Sequence, residues 1–80
     1  MSIKSERVRK GLTQQQLADK VPSMTRGRIA AYETGAIDVG NMTLDMALRF
    51  LEAFGRKALA RQVRAVLIES PEGSKENDAK

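Results

Sequence analysis

The feature that most constrains the fold is a succession of helix start and stop signals set close together. Thr13, Thr25 and Thr43 each precede a stretch whose apolar residues recur at helical spacing, and a threonine in that place caps a helix. Gly35 and Gly55 follow such stretches, as glycine commonly does at a helix end. No stretch of any length alternates as a half-buried strand would. The sequence therefore predicts a series of short helices.

We predict an all-α fold of five helices, with a loop over residues 36–42. The helices span about residues 2–10, 14–21, 26–33, 44–54 and 56–68. Their spacing assigns the following residues to the core: Leu17, Ala18, Val21, Ile29, Tyr32, Leu44, Ala47, Leu48, Leu51 and Phe54. Phe50 is then left pointing away from this face. The first helix has few apolar residues, so Val8 must provide most of its packing.

Composition excludes several classes of function. The 80 residues contain no cysteine and no histidine, which removes disulfides, thiolate metal sites and the commonest general base. There is no glycine-rich phosphate loop and no nucleophile beside a base, so we expect neither an enzyme nor a bound cofactor or metal. No apolar run approaches the length of a membrane span, and the N-terminus lacks the apolar core of a signal peptide. We therefore expect a cytoplasmic protein with no membrane partner.

Basic charge is concentrated in two blocks of the chain, whose overall net charge is +4. Residues 1–35 and 56–68 each carry a net charge of +4, whereas residues 36–55 carry −2. Residues 69–80 also carry −2 and hold no apolar residue beyond one alanine, which predicts a disordered polar tail. The predicted domain is therefore residues 1–68. Two basic blocks favour a polyanionic partner.

The third predicted helix begins with residues that suit a helix badly. Glycine at position 27 costs helix stability, and Arg26 and Arg28 add positive charge at the positive end of the helix dipole. Such a start suggests that binding to a partner compensates for the lost helix stability.

The strings "GLTQQQLADKV" and "TRGRIAAYETG" resemble the Cro/CI-type (XRE-like) helix-turn-helix regulators over about residues 3–55. The resemblance implies a five-helix, lambda-repressor-like DNA-binding domain that reads double-stranded DNA at a palindromic operator as a homodimer. Two features depart from the family pattern. The turn "VPSMT" is one residue longer and has proline where glycine is usual, which puts the angle of the third helix in question. Glu6 stands where an apolar residue is usual, which predicts a less firmly docked first helix.

The resemblance also implies roles for individual residues. It places the first turn of the third helix in the major groove, where arginine can bond to guanine and a small residue can approach a thymine methyl. The implied base-reading residues are Arg26, Gly27, Arg28 and Ala31. The implied phosphate contacts are Gln14, Thr25, Asn41 and Thr43. For the two arginines the alternative is an ordinary solvated basic face, and for Ala31 it is that nothing larger is needed there. For the four phosphate candidates the alternative is surface, loop or capping chemistry. Arg7 and Glu33 are assigned to an interhelical ion pair instead.

A dimer interface is predicted on the last two helices, because the second and third helices already form the core and contact DNA. The fifth helix holds more apolar residues than a peripheral helix needs. The interface candidates are Phe50, Leu59, Val63 and Val66, with Arg56, Lys57, Arg61 and Arg64 at the rim or near the DNA backbone. The alternative is that the apolar residues only complete the core of a monomer.

These observations favour a dimeric repressor of a phage, plasmid or mobile-element operon. Two other interpretations stay open. The chain could be the antitoxin of a toxin–antitoxin pair, with the toxin as a protein partner. It could also be a helix-turn-helix fold that binds only protein.

Overall fold

The computed structural model describes residues 2–68, which form five α-helices and one 3₁₀ turn. The helices are α1 (Ile3–Lys10), α2 (Gln14–Lys20), α3 (Arg26–Thr34), α4 (Leu44–Ala53) and α5 (Lys57–Leu67), and the 3₁₀ turn is Val39–Asn41. The predicted all-α fold of five helices is confirmed. The loop predicted over residues 36–42 contains the 3₁₀ turn as an unforeseen element. The predicted polar tail, residues 69–80, lies outside the described residues.

Side-chain caps define where four of the helices begin. The hydroxyl oxygens of Thr13, Thr25 and Thr43 accept hydrogen bonds from the backbone N–H three residues on, at 3.0, 3.2 and 3.1 Å. Ser2 caps α1 in the same way. Each bond satisfies one of the backbone donors that a helix start leaves without a partner, which is worth about 1 kcal/mol.

The turn between α2 and α3 is closed by a backbone bond and two buried anchors. The carbonyl of Val21 accepts from the N–H of Met24 at 3.2 Å, and both side chains are buried. Pro22 and Ser23 are the central residues, and Ser23 has φ +66°. Proline followed by a residue with positive φ is the pattern of a type II turn. The longer turn is therefore accommodated by a left-handed serine.

The core is built where α2, α3 and α4 meet. Its buried cluster consists of Leu17, Ala18, Val21, Met24, Ile29, Tyr32, Phe50 and Phe54. The rings of Tyr32 and Phe50 meet edge-on with centroids 6.1 Å apart, and Phe54 lies 6.0 Å from Phe50. Both distances are within the range of favourable aromatic pairs. The aromatic contacts join α3 to α4 and so fix the position of α3.

Three expectations about packing are wrong. Phe50 does not point away from the core, since only 3% of it is exposed. Leu48, two residues earlier and therefore on nearly the opposite side of α4, is fully buried as well, so α4 is covered on two sides. Conversely, Leu44 of the expected core face is exposed. Val8 is 58% exposed and cannot provide the packing of α1.

A buried carboxylate holds α1 in place instead. Glu6 accepts two hydrogen bonds from Arg56, at 3.1 and 3.0 Å, and two from Arg9, at 3.3 and 3.1 Å. Arg9 also donates to the carbonyl of Phe54 at 3.0 Å. The hydrogen bonds from Arg56 are the main reason why the pKa of Glu6 is lowered, against the opposing effect of burial. The expectation of weak docking through Glu6 is therefore wrong, because this residue ties α1 to the start of α5.

The last helix, α5, packs against α4 through one side only. Ala60 is buried, whereas Leu59, Val66, Leu67 and Ile68 remain exposed. None of the helices in the described part of the chain has the length and apolar character needed to span a bilayer.

Candidate nucleic-acid interface

The first turn of α3 projects its backbone and two cationic side chains into solvent. Arg26, Gly27 and Arg28 are all exposed, and Ala31, one turn further on, is half-buried. A Cβ built on Gly27 meets no other part of the domain within 4 Å. Glycine at this position is therefore not required by packing. An open backbone flanked by two guanidinium groups suits the close approach of a polyanion.

Arg28 is partly oriented by the core. Its guanidinium carbon lies 6.0 Å from the centroid of the Tyr32 ring, which is at the limit of a cation–π contact. Tyr32 is itself buried and packed against Phe50. The base of the Arg28 side chain is fixed by the helix start, because the N–H of Arg28 donates to Thr25. The backbone of Arg28 is thus held by the cap, while its guanidinium stays exposed.

The opposite end of α3 is clamped by an ion pair. The Nε and Nη2 atoms of Arg7 donate to the two carboxylate oxygens of Glu33 at 2.7 and 3.2 Å, and its Nη1 donates to the carbonyl of Leu12 at 2.8 Å. The Glu33 side chain is 5% exposed. Hydrogen bonding from Arg7 is the main reason why the pKa of Glu33 is lowered, with burial acting in the opposite direction. The two residues expected to pair therefore join α1 to the last turn of α3.

Gln14 extends this network to α2. Its side-chain Nε2 donates to Glu33 at 3.1 Å, which also helps to lower the pKa of Glu33. One carboxylate thus connects three helices. The contribution of Gln14 was not foreseen, since its position at the start of α2 indicated only a surface or phosphate contact. That phosphate contact stays a prediction.

The other predicted phosphate contacts lie at the starts of helices. Thr25 and Thr43 are exposed, and both hydroxyls serve as caps. Asn41 is exposed at the end of the 3₁₀ turn, and its N–H is bonded to the carbonyl of Asp38. Capping accounts for both threonines. Within residues 2–68, the side chain of Asn41 makes no hydrogen bond that would account for it in the same way.

A pair of short helices joined by a tight turn, the second of them with a cationic and exposed first turn, defines a helix-turn-helix DNA-binding domain. A family model described as helix-turn-helix matches residues 3–60. The chain belongs to this family, and within it to the XRE-like, Cro/CI-type DNA-binding transcriptional regulators. Searches of curated proteins and of solved structures gave no significant match.

Proposed function

We propose that this regulator binds a palindromic operator as a two-fold dimer and represses transcription, with α3 of each copy in the major groove of one half-site. On the family resemblance, we assign the operator to a phage, plasmid or mobile-element operon.

The exposed first turn of α3 carries the proposal. Arg26 and Arg28 stand at the positive end of the helix dipole beside a glycine that packing does not require. This arrangement lowers the stability of the isolated domain and favours contact with DNA. We assign base reading to Arg26 and Arg28, because arginine can donate two hydrogen bonds to guanine in the major groove.

The test is to select bound duplexes from a random pool and to measure the affinity of variants for the selected duplex and for a random one. Arg26→Ala and Arg28→Ala should each cost about 1–3 kcal/mol on the selected duplex and much less on the random one. Asn41→Ala is the control for a phosphate contact and should weaken both duplexes alike. Equal losses on both duplexes for the arginine variants would show that they hold the backbone and do not read bases.

Salt dependence and a reporter complete the test. A steep fall in affinity with salt supports phosphate contacts, whereas a flat response would favour a protein partner such as a toxin. Expression from a promoter that overlaps the selected duplex should fall when the protein is supplied, and a rise would contradict repression. The dimer itself is tested by sedimentation of the wild type and Val63→Glu.

A further inference from the structure

A cationic cleft of about 470 Å³ lies where the ends of α1, α2 and α4 meet the start of α5. Gly55 lines it, and a Cβ built on this glycine would lie only 3.0 Å from the Nζ of Lys10. The ammonium group of Lys10 is therefore close to the end of α4. No residue of α3 or of the loop over residues 36–42 belongs to the lining. The charged residues of the lining are Lys10, Lys20, Arg49, Glu52 and Lys57.

The positive charge of the cleft is poorly neutralised by the domain itself. Within residues 2–68, the side chains of Lys10, Lys20 and Lys57 make no hydrogen bond and no ion pair. Glu52 is the one carboxylate of the lining, and it lies 3.7 Å from Arg64, with which it is paired. Cations that line the same cleft repel one another, so an anion bound there would be stabilised.

Helix dipoles account for only part of this arrangement. Lys10 and Lys20 lie in the last turns of α1 and α2, where positive charge is favourable. Lys57 is the first residue of α5, where positive charge is unfavourable, and no acidic residue occupies that first turn. Like the arginines at the start of α3, Lys57 therefore lowers the stability of the isolated domain. A bound anion would compensate for this cost.

A second concavity, of about 450 Å³, extends the positive surface along α5. Glu52 and Lys57 line it as well, together with Arg61 and Arg64. Lys57, Arg61 and Arg64 share one face of the helix, which rises about 10 Å between the first and the last of them. A row of cations of this length fits the evenly spaced phosphates of a nucleic-acid backbone better than a compact anion. For a DNA-binding regulator, that backbone belongs to duplex DNA.

We propose that the cationic cleft binds the backbone of duplex DNA without regard to sequence, at a place separate from the first turn of α3. This contact goes beyond operator recognition and requires neither a dimer nor a palindrome. The first turn of α3 distinguishes sequences, whereas the cleft adds an affinity that is the same for all sequences. Such a contact holds the regulator on DNA outside the operator.

Charge variants in the cleft test this proposal by fluorescence anisotropy on the selected and the random duplex at several salt concentrations. Lys20→Gln and Lys57→Gln should each lower the affinity for both duplexes about eightfold at 0.1 M salt, and lower the slope of log affinity against log salt by about 0.9, as expected for one phosphate contact. The ratio of the two affinities should stay that of the wild type. Lys4→Gln makes the same charge change at an exposed position of α1 outside the cleft, and should bind within about twofold of the wild type.

Two measurements exclude misfolding as the cause. Glu52→Gln removes the carboxylate of the cleft and should raise the affinity for both duplexes about threefold, the size of one exposed charge interaction. Asp19→Asn is its matched control on α2 outside the cleft and should bind like the wild type. Lys57→Gln should melt no lower than the wild type, because it removes a cation from the positive end of α5.

Two results would overturn the proposal. If Lys20→Gln and Lys57→Gln bind the random duplex as tightly as Lys4→Gln does, the cleft does not contact DNA, and an acidic polypeptide becomes its better occupant. If they weaken binding to the selected duplex alone, the cleft takes part in reading sequence. The proposed function fails separately, since a wild type with no preference for the selected duplex would count against base reading by α3 and leave the measurements on the random duplex unaffected.

Discussion

Gly27→Ala should stabilise the fold and weaken DNA binding at the same time. The added Cβ meets no neighbouring part of the domain within 4 Å, so it causes no strain. Alanine is favoured over glycine in a helix by up to about 1 kcal/mol, and less in the first turn, so we expect a gain of about 0.5–1 kcal/mol. For a domain of this size that corresponds to a rise of about 2–8 °C in melting temperature. The same methyl group would separate the backbone of α3 from a base edge.

Thermal melting by circular dichroism and fluorescence anisotropy with the selected duplex measure the two effects. We expect the melting temperature to rise while affinity for the selected duplex falls about tenfold, the size of one lost base contact. A lower melting temperature would refute the argument from helix propensity. A higher melting temperature with unchanged affinity would refute the close approach of Gly27 to DNA and leave the glycine unexplained.

Three further predictions concern stability. Arg7→Ala should lower the free energy of unfolding by about 2–4 kcal/mol, because Glu33 keeps a buried charge without its main partner; a urea curve identical to that of the wild type would contradict this. The pKa values of Glu33 and Glu6 are lowered from 4.5 by folding, so the ionised carboxylates stabilise the folded state above that pH. This contribution is lost as the pH falls below 4.5 and the carboxylates become protonated. The melting temperature should stay level from pH 7 to about pH 5.5 and then fall, and it should fall less steeply for Glu33→Gln. A melting temperature that rises in acid would contradict the lowered pKa values. Ser23→Gly should raise the melting temperature by a few degrees by removing the left-handed strain, a net of about 0.5 kcal/mol, and a decrease would show that this serine is not strained.

Local signals predicted the helices well because each depends on residues close in sequence. A threonine cap needs only a backbone N–H three residues away, as at Thr13 and Thr25. The contacts between α2 and α3 are also short in range, so Leu17, Ile29 and Tyr32 were assigned correctly to the core. The family pattern added the Arg7–Glu33 pair, which periodicity alone does not indicate.

The misplaced residues depend on contacts distant in sequence. Helical spacing assumes one buried face, and α4 is covered on two sides, so Phe50 was assigned to the surface. Glu6 is bonded to Arg56, 50 positions away, and a charged residue in a weakly apolar helix is ordinarily read as exposed. A carboxylate at a position where the resembled family pattern has an apolar residue was the available signal. Taken alone, that signal predicts weaker docking of α1, because the cation that pairs with Glu6 can be found only from the fold.

The two ends of α3 therefore serve different purposes. Its last turn holds Tyr32 and Glu33, which bind it to α4, α1 and α2. Its first turn holds residues that contribute little to the fold, with Gly27 in open space. Contacts of the last turn with three other helices, together with the Thr25 cap, hold α3 in a fixed orientation despite the glycine and the two arginines of its first turn. Substitutions in the last turn should consequently act on DNA binding through stability, whereas those in the first turn should act on it directly.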